Sequence, residues 1–180
     1  MKNNNPHSPT HHPPTLGVDI GRVIIHGDGP DTSFVGGSEE DALRAPAMDG
    51  AFEALARLTK RFAGRVHLVS KCGQKVELRS RAWLEHHRFF ELTGIRKGDL
   101  HFCKKRPDKA PICERLGIDF FVDDRLDILL SMEGIVRHRF LFGASEAPAG
   151  ITPAPTWAAC EAAIVACLTE SRGTPVALAP

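Results

Sequence analysis

No stretch of this 180-residue sequence approaches the roughly 18 apolar residues that a membrane-spanning helix requires. The opening MKNNNPHSPTHHPPT is polar and Pro-rich and holds no apolar core of signal-peptide length. The five cysteines, Cys72, Cys103, Cys113, Cys160 and Cys167, are odd in number and form no CxxC pair. That argues against a zinc cluster and against a secreted disulfide framework, so reduced thiols in a cytoplasmic protein are the expectation. Cys72 is expected to be a buried thiol, because a lone cysteine reacts only where a base or a nearby charge lowers its pKa. Charge of one sign is missing too. With 23 Lys and Arg against 22 Asp and Glu the net charge is +1, so no global field recommends nucleic acid or an anionic membrane as partner. Any affinity for an anion must come from a local site. Internal repeats are absent, and His7, His11 and His12 sit in a segment with no fixed geometry for a metal.

What is present is an ordinary globular composition, 42% hydrophobic and 25% charged, at a length that suits one domain. Leu16 to Ile20 (LGVDI) reads as a short buried strand ending in an acid, and Val23 to His26 as a second extended piece. Gly27 to Pro46 has the composition of a loop. A helix is expected from about Asp49, with Phe52, Leu55, Ala56, Thr59 and Phe62 on one face. A strand over Arg65 to Ser70 precedes a helix from Gln74 to Leu92, and a short strand follows at Leu100 to Cys103. Pro107 to Leu116 reads as a helix closed by Gly117. Ile118 to Val122 is the most apolar strand and runs into Asp123 and Asp124; a short helix from Leu126 to Met132 and a strand near Ile135 to Phe142 complete the pattern. Five strands alternating with helices predict a three-layer α/β/α, doubly wound parallel sheet, with any site outside the carboxyl ends of the strands. The division expected is a disordered tail over 1–14, the domain over 15–143, a linker with a docked amphipathic helix over 144–171 and a frayed end over 172–180. The helix would present Trp157, Cys160, Ile164, Cys167 and Leu168 to the domain.

Three strand ends carry Asp19, Ser70 and Asp123, and Lys109 stands one turn into a helix. Each has a simpler reading: Asp19 as a turn residue, Lys109 as a solvated helix lysine, Asp123 and Asp124 as a turn with an N-cap. Lys104, Lys105 and Arg106 compete with Lys109 for the same place, and the spacing to the aspartate pair favours Lys109. One aspartate would serve as a cap; the presence of two favours a metal.

The segments GVDIGRVI, HLVSK, RPDKAPICERLGIDFFVDD and the DDRLD extension resemble, in order, the four motifs of the haloacid dehalogenase-like hydrolase superfamily. The resemblance runs over about Leu16 to Phe142. It implies a Mg²⁺-dependent phosphohydrolase with Asp19 as a nucleophile that forms an aspartyl-phosphate and also ligates the metal. It implies further metal ligands in the backbone carbonyl of Gly21 and in Asp124 or Asp123. Ser70, with Lys71 beside it, would bind the phosphoryl group, and Lys109 would neutralise charge on Asp19 and on that group. Asp127 either supports the site from behind or belongs to the charged face of its helix. The sequence departs from the pattern at Gly21, where phosphatases of the superfamily usually carry a second aspartate that protonates the leaving group. Either another group supplies the proton, with His26 the nearest candidate and Asp28 and Asp31 behind it, or the protein is a catalytically weak phosphate-binding or regulatory module. Gly27 to Pro46 is also too short for the helical cap of many members. A site left open in this way admits phosphorylated small molecules, nucleotides or bulkier substrates unless an oligomer partner covers it. A response-regulator receiver fits poorly, since its acidic pair lies near the first strand.

Overall fold

The computed structural model describes residues 13–27 and 37–172. The expectations for the tail to residue 12, for Asp28 and Asp31, and for the end from residue 173 lie outside the described residues. In chain order the elements are β1 (Leu16–Val18), α1 (Glu39–Arg44), α2 (Ala51–Arg61), β2 (Val66–Lys71), α3 (Gln74–His86), α4 (Phe89–Thr93), β3 (Leu100–Cys103), α5 (Lys109–Leu116), β4 (Phe120–Asp123), α6 (Leu126–Ser131), β5 (His138–Phe142), β6 (Thr152–Ala154) and α7 (Trp157–Arg172). The strands form one sheet in the order β3-β2-β1-β4-β5-β6, and every pairing is parallel.

Successive residues of a strand face opposite sides of the sheet, and the core divides accordingly. Leu68, Phe120, Val122, Phe140 and Phe142 pack with α2, α3, α4 and α7 on one face. Val69, Phe121 and Leu141 pack with α5 and α6 on the other. The chain is thus the three-layer parallel α/β fold the strand pattern predicts. Its sheet has six strands rather than five, because Thr152–Ala154 in the Pro/Ala-rich linker pairs with β5. Short, proline-bearing and at an edge, β6 carries none of the alternation by which strands are read from sequence. No helix of the described residues is long and apolar enough to cross a membrane.

Other boundaries move for local reasons. The helix expected from Gln74 to Leu92 is two, because Arg88 adopts a left-handed backbone (φ 53°) between α3 and α4. On one continuous helix Phe89 would point roughly a third of a turn away from Trp83; the break lets both bury completely. Val23 and Ile24 form a tight turn, with Ile24 N and Ile25 N both donating to Ile20 O at 2.9 and 3.0 Å, and the extended piece is confined to Ile25 and His26, where Ile25 bridges Ala47 antiparallel. The loop expected over Gly27 to Pro46 contains α1, started by a capping box between Ser38 and Asp41. The last long strand begins at His138, after a turn that leaves Ile135 exposed. In α7 Trp157, Cys160, Ile164 and Leu168 are buried, and Cys167 is half-buried.

Candidate active site

β1 is where the chain reverses its direction of travel across the sheet: β2 and β3 lie on one side of it, β4, β5 and β6 on the other. Sheets of this kind open a crevice at such a point, beyond the carboxyl ends of the strands. Asp19 leaves β1 there, pinned to the neighbouring strand by its N–H, which donates to Val122 O at 2.9 Å. Asp123 and Asp124 leave β4 beside it, so that carboxylate oxygens of Asp19, Asp123 and Asp124 lie within 4.8 Å of one another.

Lys109 opens α5 and is only 2% exposed. Its Nζ lies 3.0 Å from Asp19 Oδ1 and donates to Asp123 Oδ2 at 2.7 Å. Burial alone would lower the Lys109 pKa; the carboxylates of Asp19 and Asp123 outweigh it and hold the ammonium above its ordinary value. The aspartate pair divides its labour. Asp123 accepts from Lys109 through Oδ2 and from the Arg125 backbone N–H through Oδ1, at 2.9 Å, at the start of α6. Neither aspartate caps α6, whose N-cap is Arg125 with no side-chain cap hydrogen bond; Asp123 closes the turn that leads into it. Burial pushes its pKa up to about 7 against the pull of Lys109. Asp124 instead faces the cleft, where Arg22 Nη2 approaches its Oδ2 at 2.6 Å. Burial and the charge of Asp19 raise Asp124, with Arg22 opposing them.

The cleft, about 40 Å³, is lined by Asp19, Gly21, Ser70, Lys71, Lys109 and Asp124. That is room for roughly three waters or a group of like size. Arg22, Arg106 and Arg125 also reach it. Lys104 and Lys105, the rivals of Lys109, are exposed and do not line it. Nor does His26, whose backbone N–H donates to Pro46 O at 2.9 Å. Asp127 is exposed and pairs with Arg125 at 3.0 and 3.2 Å. Cys72 is buried and its thiol is pushed up to about 12, chiefly by burial, so it is no thiolate at neutral pH.

The donor set is the kind a hard divalent cation takes: oxygen only, with several carboxylates at close quarters. Asp19 Oδ1 is buried and has no hydrogen-bond partner, the ammonium at 3.0 Å lying outside hydrogen-bond geometry. A buried carboxylate oxygen left in that state suits a metal ligand. Asp123, with both oxygens engaged, is less available than Asp124. The role of Arg22 was not legible from sequence, because only its left-handed backbone (φ 58°) turns the side chain back over the cleft.

The six-stranded parallel sheet flanked by helices is a three-layer fold of the haloacid dehalogenase-like kind. Among solved structures, the chain is similar to D,D-heptose 1,7-bisphosphate phosphatase from Burkholderia thailandensis, with a TM-score of 0.56 and 18% identity over 84% of this chain and 98% of that one. No family model matches the chain. No curated protein matches it either.

Proposed function

We propose that the protein is a Mg²⁺-dependent phosphohydrolase that cleaves a phosphomonoester through a phosphorylated Asp19. The observation that carries the reading is the sharing of one cleft by Asp19, Asp124 and Ser70, with Lys109 tying Asp19 to Asp123 beneath it. The Burkholderia protein, itself a phosphatase, supports the reaction class. Mg²⁺ would be held by Asp19, Asp124 and the Gly21 carbonyl, where it offsets the repulsion between a carboxylate nucleophile and an anionic ester. An Asp19 carboxylate oxygen forms a bond to phosphorus as the ester P–O bond breaks, and the leaving alkoxide takes a proton from water. Lys109 stays protonated, orients Asp19 and offsets the charge that builds there, while Ser70 and Lys71 bind the phosphoryl oxygens. Water then hydrolyses the aspartyl-phosphate and returns the carboxylate. Phosphorylated small molecules and nucleotides are the substrates that suit an open site, and a second copy of the chain would narrow its mouth.

A second reading, a phosphate-site protein with weak or no turnover, draws on Gly21. Among the described residues no histidine or glutamate lines the cleft to replace the missing acid. General acid–base catalysis is worth typically about 10²–10⁴-fold, so its loss matters. Incubation with Mg²⁺ and a broad panel of phosphomonoesters, beside Asp19→Asn, separates the two. Turnover that disappears in the variant is the expected outcome. No turnover, with Mg²⁺ binding retained, would leave the binding module.

A further inference from the structure

Arg22 has φ 58°, a left-handed backbone that glycine adopts freely and a residue bearing a Cβ does not. Its surroundings enforce it. Arg22 N donates to Ile25 O at 2.8 Å, and the buried indole of Trp157 donates to the carbonyl of the next residue, Val23, at 2.7 Å. Strain imposed this firmly at a cleft points to use, because the surrounding contacts must hold it in place. The result of the strain is that the guanidinium meets Asp124 Oδ2 at 2.6 Å, with the two side chains 32% and 12% exposed. Asp124 is the carboxylate that Lys109 does not engage and the one best placed to ligate a cation.

We infer that Arg22 is a two-position cation: it holds Asp124 before a divalent cation binds, and turns to the substrate's anionic group once that cation takes Asp124. Charge argues for the exchange. A guanidinium and a metal on one carboxylate repel each other. Arg22 lines the same cleft, where its planar fork matches two phosphoryl oxygens. The inference rests on the proposed phosphate site, but not on turnover.

The test is calorimetric titration of Mg²⁺ into the wild-type protein, Arg22→Gly and Arg22→Lys, followed by inorganic phosphate into each Mg²⁺-loaded protein. Glycine suits the backbone at position 22, so Arg22→Gly should fold as well as the wild type, which urea denaturation checks. We expect Arg22→Gly to bind Mg²⁺ about tenfold tighter and, once loaded, to bind phosphate about tenfold more weakly, with Arg22→Lys between the two on phosphate. Opposite shifts in two affinities are not what a loosened structure produces. Unchanged or weaker Mg²⁺ binding in Arg22→Gly would overturn the inference, as would unchanged phosphate binding. Failure of Mg²⁺ to bind any of the three would remove both the inference and the proposed site. Binding as expected without hydrolysis of any ester would remove only the catalytic reading.

Discussion

A lysine at the first position of a helix opposes the helix dipole, and α5 has no acidic residue in its first turn to compensate. Lys109 is buried there as well, at a further cost in solvation. Two local preferences are thus broken at one residue, and the gain that offsets them is its position between Asp19 and Asp123, at 3.0 and 2.7 Å. Removing one member of such a buried ionic group leaves the others uncompensated. Lys109→Met should therefore lower the unfolding free energy by about 3–5 kcal/mol, read from urea denaturation. Mg²⁺ should restore part of the loss by supplying positive charge to the same carboxylates. A loss well under 1 kcal/mol would mean that Lys109 is not the counter-ion the geometry makes it. The identity of this lysine was legible in the sequence from its spacing to the aspartate pair. Its burial was not, since Lys104, Lys105 and Arg106 have the same chemistry within five positions.

At the scale of the element, β1 is three residues long and pairs on both sides, with Val18 opposite Leu68 and Val122. It holds Asp19 in place despite its length because it is the central strand of a sheet buried on both faces. Gly17 at its middle is there for space rather than for backbone freedom. A Cβ at that position would meet Phe121 Cδ2 at 2.5 Å and Ile118 Cδ1 at 2.8 Å. A packed ring cannot yield that distance without moving β4, which ends in Asp123 and leads into Asp124. Gly17→Ala is expected to cost about 1–3 kcal/mol in thermal or urea unfolding and to weaken Mg²⁺ binding with it. Gly73 is the matched control: a Cβ there meets nothing within 4 Å. Gly73→Ala should change stability by no more than about 0.5 kcal/mol. Equal effects at the two glycines would sink the packing argument.

Across the whole molecule, the end of the sheet away from the cleft carries a different set of titrating groups. His67, His101 and His138 are each held below their ordinary value of 6.5, chiefly by burial. His67 Nδ1 lies 3.2 Å from His101 Nε2 and 3.5 Å from Asp99 Oδ1, so two rings share one acid. Well above 6.5 these histidines are neutral in both folded and unfolded chains and contribute nothing to pH dependence. Below it, the unfolded chain binds protons that the folded chain resists, and stability falls until the folded values are passed. Asp123, pushed up by burial, acts in the opposite direction over the same range. The histidine contribution is therefore read by difference. Between pH 7.5 and pH 5.5, roughly a unit either side of the ordinary histidine pKa, the urea midpoint of the wild type should fall further than that of His67→Gln/His101→Gln. Parallel profiles would show that these rings titrate freely.

By itself the sequence determined the parallel α/β class, the order of the chemistry-bearing residues and the strand ends that carry them. Those properties follow from local composition: short apolar runs, the glycines and prolines that end them, and the acids that come next. Only the tertiary structure decided that β1 and β4 are neighbours, which is what brings Asp19 to Asp124 from more than a hundred residues away. It also separated the tasks of Asp123 and Asp124, which no spacing could do. Adjacent residues leave a strand end in different directions, one toward α5 and Lys109, the other into the cleft. Arg22 belongs to the same class of facts. Its place on Asp124 depends on a backbone angle that arginine does not choose alone, held by a turn from Ile20 to Ile25 and by an indole supplied by the last helix.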